Sequence, residues 1–288
     1  MRSILPVLTV VLIIVALWYA AAVRLNAPWV YDQAERAGAP APGFAELVRE
    51  TMDQERPVLP TPHQVVTELV KTTFGMAVSS KRSLVYHGWV TISATLLGFA
   101  MGTGLGILLA VGIIHNRAMD LSVMPWAIAS QTIPILAIAP MIIVVLNSIG
   151  VQGLIPKAII SAFLSFFPVL VGMVKGLRSP DQMQLDLLAT YGAGKGATFW
   201  KLRLPSSMPY LFASLKVGIA ASLVGAIVGE LPTGAVAGLG ARLLSGSYYG
   251  QTVQIWAALF AAALVAAVLV MLVGVIERQT LRRMGMVR

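Results

Sequence analysis

Gln131, Thr132, Asn147, Ser161, Ser165 and Glu230 are polar side chains set in or beside long apolar runs, and they are the groups of this sequence best suited to handling a polar solute. An unpaired amide or hydroxyl surrounded by hydrocarbon is costly, so each needs a partner. Hydrogen bonds between neighbouring helices would supply one, and so would a passage lined for a solute. Only Glu230 and Lys216 are charged within or near the interiors of these runs. Bond-breaking chemistry is not indicated. There is no cysteine, which excludes thiol catalysis, disulfides and cysteine metal sites. His63, His87 and His115 are far apart and lack the H-E-x-x-H spacing. Ala193-Gly194-Lys195-Gly196 is glycine-rich, but it lacks the spacing, the hydroxyl residue and the preceding strand of a nucleotide-binding loop. No catalytic residue, no metal site and no cofactor bound by this chain is expected, and hydrolysis of ATP by the chain itself is not expected either.

The elements that carry these residues follow from composition. The chain has 288 residues, 57% of them hydrophobic and 11% charged, with a mean hydropathy of +0.81. Several apolar runs reach the roughly 20 residues needed to cross a bilayer. The expected fold is all-α, a polytopic membrane protein with six transmembrane helices. The net charge of +9 is read as basic residues facing the cytoplasm rather than as a nucleic-acid surface. Residues 1–24 hold the first span, read as uncleaved although Ala20, Ala21 and Ala22 would suit a signal peptidase. Residues 25–83 are an external polar segment, in which 44–54 and 63–74 have the pattern of short amphipathic helices. Residues 84–288 form a five-helix core, with the third span at 124–146 and the fifth at 209–230. Gly98, Gly102 and Gly106 lie four apart on one helix face, where small residues let a second backbone approach.

Residues 181–205 interrupt the apolar pattern. Helical pieces at 183–190 and 197–204 flank Gly192 and Gly194, and Pro205 is expected to prevent a simple continuation into the next span. A glycine elbow between two short helices makes a knob at the membrane surface.

This stretch resembles the EAA loop of permease subunits of bacterial ABC importers, written E-A-A-x3-G-x9-I-x-L-P. The corresponding positions are Asp186, Leu187, Leu188, Gly192, Leu202, Leu204 and Pro205. The spacing matches at every step, although Asp stands for Glu and two Leu for two Ala. The resemblance extends over residues 59–283. It includes the entry segment at Leu59, Thr91, Gly98 and Gly106 in the second span, Pro134, Ala137 and Pro140 in the third, and the Gly-Leu-Gly region after the fifth. Ala94 stands where the family usually has Arg. Within the family, the chain resembles the group of nitrate, taurine and alkanesulfonate permeases.

The resemblance implies a permease in a bacterial inner membrane that passes a small solute by alternating access. Its implied partners are a second permease copy, two cytosolic ATPases that bind ATP and Mg²⁺, and an extracytoplasmic substrate-binding protein. Coupling to the ATPase would fall on Asp186, Ala189, Thr190, Tyr191, Gly192, Ala193, Gly194 and Pro205. The competing reading is an ion-gradient-driven secondary transporter acting without an ATPase. Against the second stand the lack of a visible inverted repeat and the presence of only Glu230 and Lys216 as charges within or near span interiors. With both termini inside, the inner segments hold eleven basic residues (Arg2, Arg117, Lys175, Arg178, Lys195, Lys201, Arg203, Arg278, Arg282, Arg283, Arg288) against four acidic ones (Asp120, Asp181, Asp186, Glu277), which places the loop in the cytoplasm.

Overall fold

The computed structural model describes residues 4–231 and 237–286. These residues form α1 (Ile4–Arg36), α2 (Phe44–Met52), α3 (Pro62–Phe74), α4 (Leu84–His115), α5 (Arg117–Ser130), α6 (Ile135–Ser148), α7 (Leu154–Leu177), α8 (Gln182–Thr190), α9 (Lys195–Thr198), α10 (Leu204–Glu230), α11 (Leu239–Tyr248) and α12 (Thr252–Arg283). A π-helical turn, Phe199–Arg203, joins α9 to α10. Among the described residues, five helical stretches are long and apolar enough to cross a membrane: Leu5–Arg36, Leu84–His115, Leu154–Leu177, Lys195–Glu230 and Thr252–Arg283. A sixth is obtained if α5 and α6 count as one broken span. The protein is an all-helical, multi-pass membrane protein.

The chain divides into two compact units, one of Met1–His87 and Ala241–Ala262, the other of Gly88–Gly240 and Ala263–Arg288.

In the first unit, Asn26 on α1 is fully buried and organises the polar segment. Its Oδ1 accepts from the amides of Val58 (2.8 Å) and Leu59 (3.2 Å), and its Nδ2 donates to the Leu59 carbonyl (3.0 Å). The two short amphipathic helices expected there are present as α2 and α3. Trp18 stacks on Phe260 at 5.7 Å and donates its indole N–H to the Pro60 carbonyl at 3.0 Å. The expected end of the first helix near residue 24 is corrected. Helix α1 continues to Arg36 through Arg24, Pro28 and Asp32. Charged residues end a hydrophobic run without ending a helix, because they are good or neutral helix formers.

The second unit is built on α7. Small residues bring its backbone against α4 and α10. An added Cβ on Gly102 would lie 2.8 Å from the Ala162 carbonyl oxygen, on Gly106 2.8 Å from that of Phe166, and on Gly225 2.7 Å from Ser161 Cα. The apolar core beside this seam includes Phe166, Val169, Leu170, Met173, Leu177, Phe199 and Leu211.

Two further expectations are corrected here. The third span is not a straight helix over 124–146. Helices α5 and α6 meet at 98° across residues 131–134. Pro134 caps α6 with extended backbone (φ −63°, ψ 122°). It offers no N–H and disfavours helical backbone in the residue before it. Nor does Pro205 stop the helical path, since Lys195–Glu230 is one 36-residue stretch. The preceding turn is widened, with the Leu204 amide donating to the Phe199 carbonyl five residues back. Pro205 then sits in the first turn of α10, where a missing N–H costs little.

Candidate coupling loop and buried carboxylate site

Helix α8 ends in a left-handed glycine. Gly192 has φ +69°. Its amide donates to the Ala189 carbonyl at 3.0 Å, and the Ala193 amide reaches back to Leu188 at 2.9 Å. These are the two bonds of a Schellman motif, and glycine adopts the required backbone without steric penalty. Gly194 differs. It caps α9 with φ −67° and ψ 162°, a conformation open to any residue. Around the elbow, Gln182 donates to the Asp186 carboxylate at 3.0 Å, and the Thr190 hydroxyl donates to the Asp186 carbonyl at 2.8 Å. Asp186, Ala189, Thr190, Tyr191, Gly192, Ala193 and Gly194 therefore form one continuous knob. Pro205 lies apart from it, at the start of α10.

The knob has an unusual surface. No residue of α8 is buried. Met183, Leu187 and Tyr191, spaced one helical turn apart, are 78%, 55% and 80% exposed. A nine-residue helix that buries nothing is not stable by itself in water. This apolar face suits a cover supplied from outside the chain.

Beyond the knob the loop is anchored firmly. Phe199 is buried in the core and packs on His115 at 5.1 Å between ring centres. Arg203 donates to the Leu177 carbonyl at 2.9 Å, at the end of α7. Neither residue stood out in the sequence. The available signal was a lone Phe-Trp pair inside a basic loop, of which Phe199 turns in and Trp200 turns out.

The six polar candidates fall into two groups. Gln131 and Thr132 sit at the α5–α6 break and Asn147 near the end of α6, and of these Thr132 and Asn147 are exposed. Ser161, Ser165 and Glu230 are fully buried in the second unit. Ser161 lies under Gly98 and Gly225, and Ser165 under Gly102. The two serines thus occupy the helix seam rather than an open surface.

Glu230 is held by its surroundings on several sides. Both carboxylate oxygens accept from the Thr91 hydroxyl at 3.0 Å, and Oε2 also accepts from the Gly240 amide at 2.8 Å. Lys157 Nζ stands 3.8 Å from Oε1 and donates to the Ala237 carbonyl at 3.1 Å. The Leu239 amide donates to the Thr91 hydroxyl at 2.9 Å. Gly238, at φ +128°, passes so close that a side chain there would collide with the carboxylate. The Gly-Leu-Gly stretch 238–240 is thus read by Glu230 and Thr91 through its backbone.

Comparison with known proteins matches this architecture. The family described as "Binding-protein-dependent transport system inner membrane component" matches residues 102–285. The riboflavin transport system permease protein RibX of Chloroflexus aurantiacus is 32% identical over 225 residues, covering 78% of this chain and 80% of that one. The formylaminopyrimidine transport permease protein ThiX of Halalkalibacterium halodurans is 31% identical over 183 residues, 64% and 68% of the two chains. The putative aliphatic sulfonates transport permease protein SsuC of Bacillus subtilis is 25% identical, covering 78% of each. The chain belongs to the family of binding-protein-dependent inner membrane components and is a permease subunit of an ABC importer.

Proposed function

We propose that two copies of this permease form the translocation path, that each α8–Gly192–α9 knob seats in one of two cytosolic ATPases, and that a substrate-binding protein delivers a small solute at the opposite face. One observation carries the reading: a helix with no buried residue, bearing an exposed apolar face, ends in a rigid glycine elbow and leads directly into α10. Asp186, Ala189, Thr190, Tyr191, Gly192, Ala193 and Gly194 make the contact, and Pro205 marks the start of the span that receives the displacement. ATP and Mg²⁺ belong to the ATPase. The excess of basic residues on the loop side supports cytoplasmic termini. Gln131, Thr132 and Asn147 are assigned to the path, and Ser161 and Ser165 to packing. The relatives' names span riboflavin, a formylaminopyrimidine and sulfonates, so selection is assigned to the binding protein.

The test is co-purification in mild detergent after expression with the neighbouring genes. An ATPase is expected at equal stoichiometry, and deletion of residues 191–194 is expected to release it. A chain that purifies alone and moves solute down an ion gradient without ATP would overturn the proposal in favour of a secondary transporter.

A further inference from the structure

The coupling knob and Glu230 terminate the same helical stretch. Lys195–Glu230 runs without interruption for 36 residues, roughly 50 Å at 1.5 Å per residue. Its first turns leave the elbow at Gly192, and Phe199 and Arg203 fix them to the core and to the end of α7. Its last residue is Glu230. There one buried carboxylate meets a hydroxyl from α4, an ammonium from the first turn of α7 and the backbone of 237–240.

The chemistry at this end has two features. The amides of Leu239 and Gly240 begin α11 and have no partners within that helix, as at any helix N-terminus. Thr91 and Glu230 satisfy them from other elements, and an anionic acceptor at a helix N-terminus is favoured by the helix dipole as well. Removing a buried acceptor leaves its donors unsatisfied, which is costly. The tie is therefore stiff as well as specific. Glu230 is fully buried, so its carboxylate is not open to a passing solute, and we do not assign it to the path.

We infer that Glu230 is a positioning residue for transport: it carries the displacement that the coupling knob imparts to the Lys195–Glu230 stretch into segment 237–240, so that this segment moves with α4, α7 and α10 as one body. The inference rests on the proposed function above. Rigid elements with bonded ends can carry coupling between distant sites, and the physical warrant is a measured coupling.

The experiment uses the complete transporter, with its ATPase and binding protein, in lipid vesicles. Wild type is compared with Glu230→Gln, Thr91→Val and Thr91→Ser. The readout is solute imported per ATP hydrolysed, together with the amount of assembled complex. Glu230→Gln and Thr91→Val are expected to assemble with the ATPase and to hydrolyse ATP, while import per ATP falls about tenfold, a typical size for coupling between sites. Thr91→Ser keeps the hydroxyl and is expected to retain the wild-type ratio. An assembled Glu230→Gln or Thr91→Val complex with the wild-type ratio would overturn the inference. So would failure of both variants to assemble while Thr91→Ser assembles, because the cluster would then serve folding alone. If wild type itself imports without ATP, or takes no ATPase, it is the proposed function that fails.

Discussion

Arg178 Nη2 donates to Asp120 Oδ2 at 2.7 Å, joining the C-terminus of α7 to the first turn of α5 just before the chain enters the coupling loop. Each charge also complements its own helix. The carboxylate sits at the positive end of α5 and the guanidinium at the negative end of α7. Both side chains are partly open to water, so the pair contributes about 0.2–1 kcal/mol. Asp120→Ala should lower the unfolding midpoint of the detergent-purified permease only slightly, and less at high salt, where the pair is screened. A salt-independent loss above about 2 kcal/mol, well beyond the range for exposed pairs, would show that the pair is desolvated.

The glycines of α4 allow a paired comparison. Gly102 faces α7, where a Cβ would lie 2.8 Å from the Ala162 carbonyl and collide with Ser165, whereas a Cβ on Gly104 meets nothing within 4 Å. Gly102→Ala should push the two helices apart and destabilise by about 1–3 kcal/mol, as overpacking does. Gly104→Ala should be neutral or stabilising by up to about 1 kcal/mol, from helix propensity alone. Thermal unfolding of both variants checks this, and equal midpoints would remove the seam from the account.

Gly192 and Gly194 are two residues apart and make opposite demands. Gly192→Val forces a β-branched residue to φ +69°, which costs about 1–3 kcal/mol locally. It should abolish uptake while the protein remains in the membrane, because the elbow aims the knob. Gly194→Ala has ordinary backbone and open space around it, and should keep uptake near wild type. Wild-type uptake by a well-inserted Gly192→Val would remove the elbow from the coupling mechanism.

The parts of this fold that were legible in the sequence are those set by local pattern. Apolar runs gave the spans, glycines at four-residue intervals gave the α4 face, and Gly192 gave the elbow, because a left-handed turn needs no distant partner. The bend between α5 and α6 was present as Pro134, but apolar residues on both sides masked it. The continuation of α1 past Arg24 is hidden in the sequence, because charged residues end the apolar run there while the helix goes on to Arg36. Glu230 could be seen as a charge near a span end, but its partners could not. Thr91 is 139 residues away in sequence, and nothing local to either residue points to the other. The same holds for Phe199, whose burial depends on the end of α4.

Lys216 on α10 and Glu277 on α12 form an ion pair within the second unit, with the lysine about a third exposed and the glutamate mostly covered. A lysine near the end of a span can snorkel to the membrane surface. The structure instead gives it a carboxylate partner, which fixes the last turns of α12 to the helical stretch that begins in the coupling loop. Glu277→Gln leaves the ammonium facing a neutral group in a poorly hydrated setting. Breaking a fully buried pair costs roughly 3–5 kcal/mol, and access of water to the lysine reduces this to about 1–2 kcal/mol. Lys216→Met with Glu277→Leu removes both charges and leaves nothing unpaired, so the double variant should recover most of the loss. Unfolding midpoints of wild type, Lys216→Met, Glu277→Leu and the double variant form a cycle, in which a coupling of about 1 kcal/mol is expected for residues in direct contact. Additive effects would mean that the two side chains act independently and that α12 is held to α10 by apolar packing alone.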